Sequence, residues 1–150
     1  MNKLFIFFIT LGPTGYLKGS GTYASLFTAF ITYFINLKLG GEISFCIALV
    51  ITFFGVYLVK LYLKETQKKD PQEVVVDEVS GQMFCSSFCG VILELHILSF
   101  VLFRLLDIFK PYPIYKFELL KGAVGVIADD LCAALIAIIV LISLRYMFYL

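Results

Sequence analysis

The chain has 150 residues, 61% of them hydrophobic and only 15% charged, with a mean hydropathy of +0.96. Soluble domains run at about 45–50% apolar and about 25% charged, so this composition excludes an ordinary soluble globular protein. It indicates an all-α, small multi-pass helical membrane protein with a single domain over residues 1–150. The net charge of +1 offers no electrostatic basis for binding nucleic acid.

The N-terminal "MNKLFIFFIT" has the superficial form of a signal peptide, but it runs on into "LGPTGYLKGSGT" without a small-x-small cleavage pattern. It is therefore expected to be retained. A span needs about 20 apolar residues, so residues 4–11 are too short to cross and are expected to lie at the interface. Residues 23–39 form a short span and residues 43–63 a full one. Residues 74–109 stay apolar for longer than one span requires and are broken near "GVILELH" by Gly90, Glu94 and His96. That break predicts a helical hairpin over 74–90 and 96–109. Residues 123–150 form the last span. The expectation is about four spans plus a short N-terminal interfacial segment. Cys46, Cys85, Cys89 and Cys132 all fall in apolar segments and read as packing residues, with no disulfide framework.

Threading the chain back and forth places its polar stretches on one membrane face. The loop 12–22, the segment 64–73, the stretch around Asp107 and "KPYPIYKFELLKG" all share it. Lys18, Lys60, Lys64, Lys68, Lys69, Arg104, Lys110, Lys116 and Lys121 collect there, against Lys38 and Arg145 on the other side, with Lys3 unassigned. The excess of Lys and Arg predicts that this face is cytoplasmic.

Most of the acids gather on the same face. "DPQE" at 70–73 reads as a helix start, with Asp70 as N-cap, Pro71 in the first turn and Glu73 closing a capping box. Asp77 and Glu78 would then lie past that turn, with no capping role. Acids at such a depth are costly unless they face a polar interior, and they mark function. Asp129 and Asp130 form a second adjacent pair. Neighbouring carboxylates repel unless they share a cation. Two such pairs with Asp107 suit an all-oxygen site for a hard divalent ion such as Mg²⁺. His96 is the only histidine and the threading places it on the opposite side, which disfavours zinc or a histidine nucleophile.

In "FRLLDIFKPYP", Arg104, Asp107 and Lys110 recur every three residues. On a helix they share a face, either as an ion-pair ladder or as a phosphate clamp, with Asp107 holding metal or acting as nucleophile. Pro111 and Pro113 end that helix, and Tyr112, Tyr115 and Phe117 suit the headgroup level. The glycine-rich "GPTGYLKGSGTYASL" places Lys18, Ser20 and Thr22 before a helix, a plausible phosphate cradle. Together these residues describe a hard-metal site beside a cationic clamp, suited to phosphate-ester chemistry on a lipid headgroup.

Four blocks in order, "GYLKGSGTYASL", "DPQEVVVDEVSGQ", "FRLLDIFKPYPI" and "KGAVGVIADD", resemble the phosphatidylglycerophosphatase A family over residues 12 to about 140. The departures fall on loop backbone, at Ser20-Gly21-Thr22 and Gly122-Ala123, and not on the acids or cations. The resemblance implies a Mg²⁺-dependent phosphatase of the bacterial inner membrane, acting on phosphatidylglycerophosphate. Asp77, Glu78, Asp107 and Asp130 would bind metal, with Asp129 as a support or further ligand. Arg104 and Lys110 would bind the terminal phosphate, helped by Lys18 and the loop up to Thr22. Attack by water and an aspartyl-phosphate on Asp107 or Asp77 both remain open, as do a lipid phosphotransferase and a small cation transporter.

Overall fold

The computed structural model describes residues 2–68 and 71–148. These residues form α1 (Lys3–Ile9), a 3-10 turn (Gly12–Tyr16), α2 (Ser20–Leu39), α3 (Gly41–Thr66), α4 (Val76–Ser87), α5 (Leu93–Phe109), α6 (Ile114–Glu118) and α7 (Ala123–Phe148). No strand occurs among the described residues.

Each expected span becomes a helix. Between α2 and α3 the chain reverses at Gly40, whose φ of +87° suits a residue without a Cβ. The break in the long apolar stretch also forms, at residues 88–92, with Gly90 at φ +60°. Among the described residues, α3 and α7 are long and apolar enough to cross a membrane by themselves. Large apolar side chains point outward along the bundle, including Phe30 on α2, Phe53 on α3, Ile97 on α5 and Ile139 on α7. Such a continuous apolar exterior fits a membrane-associated protein.

α4 is the centre of the bundle, packed against α2, α3, α5 and α7. Its 12 residues measure about 18 Å at 1.5 Å per residue, short of a hydrocarbon core of about 30 Å. Protein encloses it, and it takes part in a buried polar network. The Gln82 amide donates to Ser86 Oγ at 2.8 Å and Ser99 Oγ at 3.2 Å. The Asn36 amide donates at 3.0 Å to both the Ser86 and the Gly90 carbonyls. Apolar packing completes the shell. Cys85, Cys89, Leu95 and Phe103 belong to one cluster, and Ile9, Leu58, Val76 and Ile127 to another. The expectation that Cys85 and Cys89 serve as packing residues is met.

The helix start expected at "DPQE" does not form. Asp70 lies outside the described residues, the chain from Pro71 to Val75 is not helical, and α4 begins at Val76. Tertiary contacts take over the groups that a cap would have used. The Val75 N–H donates to the Ile9 carbonyl at 2.8 Å. Glu73 accepts from Tyr62 Oη at 2.7 Å and pairs with Lys68. Partial burial pushes the Glu73 carboxyl up, but the hydrogen bonds from Lys68 and Tyr62 outweigh it and hold the group below its ordinary range. Asp77 and Glu78 consequently sit in the first turn of α4, not beyond it.

Candidate active site

An open cavity of about 850 Å³ lies at the end of the bundle where α2, α4 and α7 begin and α5 ends. The positive ends of three helix dipoles therefore meet at one place, which suits carboxylates on the protein side and phosphate on the ligand side. The topology accounts for this convergence: motifs distant in sequence share the cavity because alternate helix ends return to one face.

Asp77, Glu78 and Asp130 form its acidic floor. Each offers a carboxylate oxygen, and the three oxygens lie within 4.8 Å of one another. Asp77 Oδ1, Glu78 Oε2 and Asp130 Oδ2 are buried and have no hydrogen-bond partner among the described residues. Asp107 is a further electrostatic neighbour of Asp130. Burying carboxylates this close, with oxygens unanswered, is unfavourable unless a cation is shared. The donor set is all oxygen, so it fits a hard divalent ion such as Mg²⁺.

Two glycines bring these acids together. A Cβ at Gly21, in the first turn of α2, would collide with the Glu78 carboxylate and lie 3.1 Å from Arg104 Nη1. A Cβ at Gly81 would lie 2.7 Å from the Phe103 ring and 3.1 Å from the Asp130 carbonyl. Their lack of side chains lets α2 approach the Glu78–Arg104 pair and α4 approach α7.

The cations flank the acids. Arg104 Nη1 pairs with Asp107 Oδ2 at 2.5 Å and lies 3.8 Å from Glu78 Oε1, while its buried Nε has no partner among the described residues. Lys110 does not continue that ladder. α5 ends at Phe109, and Lys110 closes it as a left-handed C-cap with φ 43°, its N–H donating to the Leu106 carbonyl. Its ammonium reaches Asp129 Oδ2 at 2.7 Å and Glu118 Oε1 at 2.8 Å. Burial works against that charge, but the bonds to Asp129 and Glu118 prevail and raise the pKa above the usual lysine range.

Of the residues singled out in the sequence, Lys18, Asp77, Glu78, Arg104, Asp107, Lys110, Asp129 and Asp130 all line the cavity. Thr22 does not. It is exposed on α2 outside the wall, and its N–H is held by the Gly19 carbonyl at 3.0 Å. Ser20 takes the place expected of it, lining the cavity and donating to the Gln72 carbonyl at 3.2 Å. His96 is buried beside Gly90 and Tyr33, away from the cavity. Two further residues of the cavity wall, Glu118 and Gly21, have no assigned role in the sequence reading. A glycine in the first turn of a helix, where most residues are more favourable, was the available signal for the latter.

The family model described as Phosphatidylglycerophosphatase A matches residues 7–145. A phosphatidylglycerophosphatase A of Haemophilus influenzae is 26% identical over 148 residues, covering 97% of this chain and 91% of that protein. A Bacteroides thetaiotaomicron protein named "Putative phosphatidylinositol-3-phosphatase" is 32% identical over 103 residues, covering 67% of this chain and 64% of that one. No solved structure matches the chain. The family match runs through all four sequence blocks and every helix end that lines the cavity, and the chain belongs to the phosphatidylglycerophosphatase A family of phosphoric monoester hydrolases.

Proposed function

We propose that the protein hydrolyses the terminal phosphate of phosphatidylglycerophosphate to phosphatidylglycerol and inorganic phosphate, with Mg²⁺, at the cytoplasmic face of the bacterial inner membrane. The observation that carries the reading is the trio Asp77, Glu78 and Asp130, which brings carboxylate oxygens within 4.8 Å of one another and leaves one buried oxygen of each residue unanswered, beside Arg104 and Lys110. In this reading α2, α3, the α4–α5 hairpin and α7 give the multi-pass arrangement, and α1 lies at the interface.

Asp77, Glu78 and Asp130 would hold the Mg²⁺, with Asp107 adjacent and Asp129 supporting the site through Lys110. When bound, the ion supplies charge neutralisation at the phosphate and acidifies water. Lysine has three N–H donors, and Lys110 spends two on Asp129 and Glu118. The third is left for a phosphate oxygen, as are the arginine donors that Asp107 does not use. Lys18, exposed at the rim, adds positive charge where the lipid phosphate enters. In the reaction a water oxygen bonds to phosphorus and gives up a proton, the bond from phosphorus to the glycerol oxygen breaks, and that oxygen takes up a proton and leaves as the alcohol. Asp107 is held by Arg104 and Asp77 belongs to the acidic trio, which favours water over either carboxylate as nucleophile.

The decisive experiment incubates the purified protein with phosphatidylglycerophosphate in mixed micelles, with Mg²⁺ or with EDTA, and assays phosphate. Release that EDTA abolishes is expected. No release sinks the substrate assignment, and release indifferent to EDTA sinks the metal. The similarity to the Bacteroides protein gives a reason to run a phosphatidylinositol 3-phosphate arm in parallel. Faster turnover of that lipid would reassign the headgroup while leaving the chemistry. The acids gather at one end of the bundle, which argues against an ion path through it. Ion flux in liposomes without phosphate release would reverse that judgement.

A further inference from the structure

A second cavity, an apolar groove of about 870 Å³, lies between α1, the 3-10 turn and the first turns of α2. Phe7 and Leu11 form one wall. Tyr23, Phe27 and Phe30, spaced by four and three residues, form the other along a single face of α2. Leu17 borders this groove and the phosphate cavity alike, and the next residue, Lys18, lines the phosphate cavity. The groove therefore opens where the polar cavity ends. From Tyr23 to Phe30 it follows α2 for about 10 Å at 1.5 Å per residue.

Resting on the phosphatase reading above, we propose that this groove binds an acyl chain of the lipid whose phosphate occupies the cavity, making it a recognition subsite for the substrate's tail. Its chemistry selects that occupant. Of the residues that line it, only Thr14 and Tyr23 carry side-chain polar atoms. A peptide laid there would leave its N–H and C=O groups unanswered, whereas an acyl chain has none to answer. The walls are half exposed, Phe27 at 51% and Phe30 at 61%, so the groove is open to lipid along its length. A headgroup held at Arg104 and Lys110 leaves its glycerol towards the rim, and Leu17 is the apolar rim residue from which a chain can continue without crossing charge.

The chain contains no tryptophan, so Phe27→Trp gives a single reporter within the groove. Phe53→Trp, on the lipid-facing side of α3, reports bulk lipid. Each is placed in nanodiscs doped with a brominated diacyl lipid ending in a non-hydrolysable phosphonate, or with the same brominated chains on a phosphate-free headgroup. The phosphonate lipid is expected to quench position 27 at least twofold more than its neutral counterpart, with equal quenching at position 53. Equal quenching at position 27 overturns the proposal. As a second measurement, Leu26→Trp, which fills the groove, should raise KM several-fold for the long-chain substrate and leave a dihexanoyl analogue unchanged. Equal effects on both substrates also overturn it. Phosphate release by the unmodified protein is scored separately, so failure of the groove and failure of the phosphatase reading give different results.

Discussion

At the scale of single residues, the acid trio would make opposite demands with and without the proposed ion. Asp130 is buried beside Asp77, Glu78 and Asp107, so without a cation its charge is repelled from several sides. Asp130→Asn should therefore raise the melting temperature in EDTA, lose most of the stabilisation that Mg²⁺ confers on the parent protein, and lower phosphate release by about 100-fold or more. Thermal unfolding with and without Mg²⁺, read beside the phosphate assay, checks all three signs. An unchanged Mg²⁺ shift would remove Asp130 from the ion's ligands. Gly21→Ala acts on the same centre from α2, because its Cβ would collide with the Glu78 carboxylate. A misplacement of about 1 Å costs on the order of 100-fold in rate, so turnover should fall steeply while the protein stays folded, as circular dichroism can verify. The acids were legible because paired carboxylates in an apolar segment need a reason. Gly21 was not, since its role depends on a helix packed against it from 57 positions away in sequence, at Glu78. Lys110 was read on the right face for the wrong reason: three-residue spacing assumed a helix that Pro111 had already ended.

At the scale of elements, α4 is the piece that the sequence described least well. The capping pattern "DPQE" predicts a helix starting at Asp70, but Val75 bonds to the Ile9 carbonyl and Glu73 turns to Tyr62 and Lys68. Those partners come from α1, α3 and the residues just after α3, and no local pattern of capping residues could report them. The hairpin break was legible, because Gly90 supplies the positive φ at which α4 gives way to α5. Packing around α4 then sets the distance between the acids it carries and those on α7. Phe103 is fully buried on α5 and touches the space that Gly81 leaves open. Phe103→Ala should cost about 3–5 kcal/mol of stability, the range for truncating a buried aromatic. The loss should appear as a lowered unfolding midpoint in detergent. Phe103→Leu, which keeps much of the volume, should recover most of it. If both variants lose equally, the ring would matter for more than filling space.

At the scale of the whole molecule, alternating helix ends and unequal charge predict which way the cavity faces. α2, α4 and α7 begin at the cavity end and α5 finishes there. The sequence assigns nine cations to that end and only Lys38 and Arg145 to the other. Translocation disfavours Lys and Arg in short loops, so the asymmetry predicts a cytoplasmic cavity. Lys116 in α6 and Glu42 in the first turn of α3 are both exposed and belong to opposite ends. With the native cysteines replaced, Lys116→Cys and Glu42→Cys give one thiol at each end. A membrane-impermeant maleimide applied to intact spheroplasts should label position 42 at once and position 116 only after the membrane is opened. The reverse pattern would turn the cavity outward and place the phosphate product on the far side of the membrane. Labelling of both positions from outside would mean that α3 to α6 do not separate the two ends across a bilayer. The span count would then fall with the orientation, because both rest on the same alternation of helix ends.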